Sequence, residues 1–168
     1  MRKELAEQAE RVARLLVSSQ GVLACAESCT GGALGSCITA IPGSSSFFTG
    51  GIISYSNEMK KACLGVQDSI LSSFGAVSEQ CAEQMALGAL RLPGATISAA
   101  ITGIAGPTGG SDEKPVGLVY IAVADKDGTV VRRNLFCGSR DDVRAASVMK
   151  ALEMLEELIC SRQRQPLV

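Results

Sequence analysis

Strand-length apolar runs alternate along this chain with segments of helical periodicity, and an α/β domain is the architecture that buries both. The strand-like runs fall at 22–26, 51–55, 95–102, 116–123 and 129–136. Between them, Leu5, Ala9, Val12 and Leu16 recur at steps of three or four, as do Val143, Ala146, Met149, Leu152, Leu155 and Ile159 near the end. Small and apolar residues over 32–41 predict a short buried helix, stopped by Pro42-Gly43. Further helices are predicted to start near Met59 after Ser56, after Asp68, after Ser78 (to about Leu90), and after Ser139, whose capping box closes on Asp142. Asp125-Lys126-Asp127-Gly128 separates the last two runs and demands a hairpin, so the sheet is mixed, mainly parallel with one antiparallel hairpin. One domain is expected over 1–160, with a frayed tail over 161–168.

Composition excludes several classes. The chain has 168 residues, of which 46% are hydrophobic, so it can bury a substantial core. Its 16 basic and 17 acidic residues leave a net charge of -1, so no overall positive field argues for nucleic acid or an acidic membrane as partner. No uncharged apolar run reaches membrane-spanning length and no secretion signal is evident, so no membrane association is expected. The 7 cysteines are odd in number and singly placed, mostly in apolar runs. Free thiols in a reducing, cytoplasmic compartment follow more readily than a disulfide framework. Cys25 and Cys29, four apart with no second pair nearby, read as packing rather than as a metal or redox site.

The absence of histidine removes the Ser-His-Asp triad and every histidine-ligated metal design. What remains is Ser28 after the first strand, with Tyr55 and Lys60 at the exit of the second into a helix. Strand ends of an α/β sheet converge on one crevice, so these three can meet. Lysine activates a serine only when its amine is neutral, which burial and the positive end of a helix both favour. Tyr55 can relay the proton. Thr30, Gly31 and Gly32 can offer helix-starting amides to an oxyanion. A strand-end tyrosine beside a surface serine and lysine fits the same spacing, and Glu27 reads equally as an orienting group or as a cap.

Two further segments point to a ligand. Thr102-Gly103-Ile104-Ala105-Gly106-Pro107-Thr108-Gly109-Gly110-Ser111 lets backbone amides approach closely, but lacks the Gly-Lys-Ser/Thr ending of a phosphate-binding P-loop. It is either a substrate loop or a tight connection. Arg140 and Arg144, one turn apart at the start of the last helix, can share an anionic group or pair with nearby acids.

These segments together resemble the competence and damage-inducible protein C-terminal domain family. The resemblance is carried by residues 26–32, 51–60, 75–79, 102–111, 113–117 and 138–144, beginning with Ala-Glu-Ser-Cys-Thr-Gly-Gly, and spans nearly the whole chain. It implies a three-layer α/β/α sandwich that hydrolyses the carboxamide of nicotinamide mononucleotide to nicotinate mononucleotide and ammonia. Under it Ser28 is the nucleophile, Lys60 its base, Tyr55 the accompanying polar residue and Arg144 an active-site arginine, with Arg140 beside it. Glu27, Thr30, Gly31, Gly32, Thr102, Gly103 and Gly106 complete the expected substrate contacts. No metal or cofactor is implied, and a homodimer is. Longer members carry a further N-terminal domain resembling a molybdopterin-binding fold, to which a pyrophosphatase activity is attributed; these residues are expected to act without it. The alternatives are a catalytically weak nucleotide-binding module and an amidohydrolase for another phosphorylated, pyridine-containing amide.

Overall fold

The computed structural model describes residues 3–163. In chain order the elements are α1 (Lys3–Ser18), β1 (Leu23–Glu27), α2 (Ala33–Thr39), a 3-10 turn (Ser44–Ser46), β2 (Phe48–Ile53), α3 (Asn57–Leu64), α4 (Asp68–Phe74), α5 (Glu79–Leu90), β3 (Ile97–Gly103), β4 (Leu118–Asp125), β5 (Gly128–Leu135) and α6 (Arg140–Gln163). The five strands form one sheet in the order β2-β1-β3-β4-β5. β1 pairs in parallel with β2 and β3, whereas β4 pairs antiparallel with both β3 and β5. Four strands therefore share one direction and β4 alone opposes them. Helices cover both faces, giving the three-layer α/β/α sandwich.

The two faces are packed differently, and the strand period of two explains why. Leu23, Cys25, Ile101, Val119, Ile121 and Val123 face α1, α2 and α6. Their neighbours Ala24, Ala26, Ala100, Ala122 and Ala124 face α5, with Leu64 of α3. An alanine face lets α5 lie close to the sheet, and Ser98 Oγ donates to Ala86 O at 2.7 Å across that contact. Gly88 does the same between helices: a Cβ there would sit 2.3 Å from Leu64 O and 2.8 Å from Leu64 Cα. Gly88→Ala is therefore expected to lower stability by about 2 kcal/mol, because backbone cannot yield as a side chain can and the clash exceeds the gain in helix propensity. A urea melt checks this, and an unchanged midpoint contradicts it.

Several boundaries differ from the sequence expectation. β2 starts at Phe48 rather than 51, since Phe48 is already in register with Leu23. Asp68 is the first residue of α4 rather than its cap; Gln67 precedes the helix without a side-chain cap, and the Asp68 carboxylate accepts from Lys61 Nζ at 2.9 Å. In α6, Ser147, Val148 and Ala151 are buried while Ala146 and Met149 are half-buried. Residues 161–163, expected in a frayed tail, continue α6, where Arg162 is held by Asp125 through Nε at 2.7 Å and Nη2 at 3.0 Å. The rest of that expected tail, 164–168, lies outside the described residues. Ser78 and Ser139 cap α5 and α6 as their motifs predict; Asp142 Oδ2 accepts from Ser139 N at 3.1 Å. All seven cysteines are free thiols. Among the described residues no helix is long and apolar enough to cross a membrane.

Candidate active site

The register of the parallel strands builds the site. Glu27 at the end of β1 aligns with Ile53 of β2 and Ile101 of β3. Ser28 N donates to Ile101 O at 3.0 Å, and Ser54 N donates to Glu27 O at 2.8 Å. Ser28 thus emerges at the sheet's end between Ser54 and Thr102. Strand alternation then sends consecutive residues to opposite layers: Glu27 goes to α2, Ser28 to α3.

On the α3 side, Ser56 caps the helix, its Oγ accepting from Met59 N at 3.2 Å. Lys60, one residue further on and 1% exposed, turns back under the sheet end. Its Nζ lies 3.0 Å from Ser28 Oγ and donates to Ser54 O at 2.6 Å. Ser28 is itself buried. Burial pushes the Lys60 amine below the ordinary lysine range, with Cys81 and Cys29 acting the other way. Burial also pushes each of those thiols up to about 11, so neither offers a thiolate to an ammonium at neutral pH. Here a neutral lysine can accept a hydroxyl proton over one hydrogen bond.

On the α2 side, Glu27 is spent on structure. Its Oε2 accepts from Gly32 N and Leu34 N, both at 3.1 Å, and its Oε1 from Gly35 N at 2.8 Å. The residue expected to contact substrate is instead a buried anion neutralised by the start of α2. Glu27→Gln, which turns a donor toward those amides, is expected to cost about 2–4 kcal/mol in a denaturant melt; a loss under 0.5 kcal/mol would contradict the cap. The same bonds revise the expected oxyanion donors. Gly32 N goes to Glu27 and Gly31 N to Ser28 O at 3.0 Å, which leaves the amides of Cys29 and Thr30 as the turn's candidates. Gly31 and Gly32 serve the turn itself, with φ of 58° and 93°.

The arginines reach the same place from α6. Arg144 Nη2 donates to Thr30 O at 2.9 Å, gripping the turn that follows the serine. Arg140 Nη1 donates to Gly106 O at 2.8 Å and its Nη2 to Tyr55 Oη at 3.2 Å. Arg140 therefore ties the glycine-rich loop to the end of β2. The Tyr55 hydroxyl is engaged by Arg140 rather than by Lys60 or Ser28, so the direct proton relay expected of it is not formed. Thr102 and Gly103 also depart from expectation. Thr102 Oγ1 donates to Ala76 O at 2.7 Å, and a Cβ on Gly103 would stand 2.6 Å from Leu118 O, so both have packing roles.

Ser54 was not legible from sequence: its carbonyl anchors Lys60, a role set by strand register and by no side-chain motif. Among the described residues three buried side-chain atoms have no hydrogen-bond partner, Thr30 Oγ1, Ser54 Oγ and Arg144 Nε. Each belongs to a residue that touches the pair or its turn. Unpaired buried polar atoms cost about 1–3 kcal/mol apiece, and all three lie at this one sheet end. Among the described residues no group of three or more His, Cys, Asp or Glu is placed to hold a metal.

An α/β/α sandwich whose parallel strand ends carry a buried serine–lysine pair, with two arginines holding the segments around it, is the class of domain these features define. The chain belongs to the CinA C-terminal domain family, whose model matches residues 5–159. It is 48% identical over 155 residues to a CinA-like protein of Thermotoga neapolitana, covering 92% of this chain and 38% of that protein. It is 53% identical over 133 residues to one of Gloeothece citriformis, covering 79% and 32%. The chain thus spans under two-fifths of the length of these relatives. Among solved structures, the competence/damage inducible protein CihA from Agrobacterium tumefaciens superposes with a TM-score of 0.92 at 41% identity, covering 94% of this chain and 97% of that one. A CinA superfamily protein from Escherichia coli gives 0.88 at 32%, covering 95% and 92%.

Proposed function

We propose that this domain is a serine–lysine amidohydrolase that converts nicotinamide mononucleotide to nicotinate mononucleotide and ammonia. The observation that carries the reading is the 3.0 Å approach of Lys60 Nζ to Ser28 Oγ inside a buried sheet end. A lysine held there without a carboxylate partner has lost the usual reason to stay charged, and its proximity to a serine hydroxyl is what general-base activation needs.

In this mechanism neutral Lys60 takes the Ser28 proton as Oγ attacks the carboxamide carbon. The carbonyl oxygen becomes an oxyanion facing the amides of Cys29 and Thr30. The tetrahedral species collapses with cleavage of the C–N bond, and the Lys60 ammonium returns its proton to the departing nitrogen, which leaves as ammonia. Water then attacks the Ser28 ester, giving its proton to Lys60, and the proton passes back to Oγ as nicotinate mononucleotide is released. The cationic pyridinium ring withdraws electrons from the carbonyl, an activation an aliphatic amide lacks. Arg144 fixes the turn carrying the oxyanion donors; Arg140 and Arg144 are the candidate cations for the phosphate.

Incubating the purified protein with nicotinamide mononucleotide and measuring ammonia together with the deamidated nucleotide tests the reading. Equal yields of both support it. Binding without ammonia would identify a nucleotide-binding module, and turnover restricted to a different pyridine amide would move the substrate but keep the chemistry.

A further inference from the structure

The exit of β2 is open, polar Ser56, Asn57 and Glu58 being exposed there together with apolar side chains. Tyr55 is 62% exposed, and Ile53 and Met59 on either side of it in sequence are also exposed. Tyr55 directly follows Ser54, whose carbonyl holds Lys60 Nζ at 2.6 Å. Its hydroxyl is fixed by Arg140, which is fixed in turn by Gly106 O. The ring is thus rooted one residue from the lysine's anchor and tethered at its far end, with its surface left free.

We propose that this ring is the surface on which the cationic pyridinium of the substrate lies, a specificity-determining contact that rests on the deamidase reading. A cation of that kind is attracted either by a carboxylate or by the face of an aromatic ring. A carboxylate beside Lys60 would stabilise the ammonium form and disable the base. The carboxylate nearest the nucleophile in sequence, Glu27, is withheld from that role by the three amides it accepts. The Tyr55 ring attracts the same cation without adding negative charge to the site. The bound pyridinium then acts on Lys60 in the direction that burial already does, favouring the neutral amine. The Arg140 hydrogen bond has a defined part in this: it sets the ring's position and leaves the proton traffic to Lys60.

Calorimetry on proteins carrying Ser28→Ala, so that ligand is not consumed, compares nicotinamide mononucleotide with its neutral 1,4-dihydropyridine form. Tyr55→Leu is expected to weaken the cationic ligand about tenfold and the neutral one less than threefold. Tyr55→Phe, which keeps the ring, is expected to restore affinity for the cationic ligand to within about threefold. With Ser28 intact, Tyr55→Leu raises KM more than it lowers kcat. Equal losses for the two ring forms, a Phe variant as poor as the Leu variant, or an effect confined to kcat would each overturn the proposal and leave the deamidase reading in place. Failure of the parent to bind nicotinamide mononucleotide would overturn both.

Discussion

Replacing Lys60 by Met is expected to lower turnover of nicotinamide mononucleotide by roughly 10³- to 10⁴-fold, since the loss of a positioned base removes the step that makes Ser28 a nucleophile. The pH dependence separates this from a general disturbance. In the parent, kcat/KM is expected to rise with pH as Lys60 loses its proton and to level off below the ordinary lysine range, because burial lowers that amine. In the variant this limb disappears. Stability carries the same signature with a definite sign. The folded lysine releases its proton at lower pH than the unfolded one, so between the two values the unfolded chain binds more protons and raising the pH favours the fold. The parent should therefore gain stability relative to Lys60→Met as pH rises through that window and gain nothing beyond it. Paired urea melts at several pH values measure the difference; a difference flat across the series would mean that Lys60 is not depressed.

Ser28→Ala is expected to abolish turnover, at least about 10³-fold, while shifting stability by about 1 kcal/mol or less, since the buried side chain loses one hydroxyl and keeps its methylene. Acid-quenched mixtures of the parent with substrate should contain protein heavier by one nicotinoyl nucleotide acyl group on Ser28, and those of the variant none. Retained turnover in a folded Ser28→Ala protein would replace covalent catalysis with direct attack by water, whatever the substrate proves to be.

Much of this arrangement was legible in the chain. The hairpin at 125–128, the caps at Ser78 and Ser139, and the approach of Ser28 to Lys60 all follow from local chemistry or from the rule that strand ends converge. The parts that were not legible share one cause. Glu27, Thr102 and Tyr55 have side chains whose partners are backbone atoms or residues distant in sequence, namely the α2 amides, Ala76 O and Arg140. Motifs record which side chains are present; the register of β1, β2 and β3 decides what they meet. Ser54 makes the point most directly, because its contribution is a carbonyl that any residue would supply. The early end assigned to α6 has the same origin: Arg162 looks like a polar tail residue until the β4–β5 turn brings Asp125 beneath it.

The in-register ends of the three parallel strands make the length of β1 a fixed quantity. Inserting a single amino acid into β1 would turn the hydroxyl toward α6 and the carboxylate toward α3, so the anion would meet the amine and the helix start would lose its counter-charge. Inserting two would restore the facing but carry the nucleophile about 7 Å past its neighbours. Loops around the sheet can lengthen without touching either group, so tolerance to insertion should fall abruptly at Leu23 and return only after the turn that Arg144 holds.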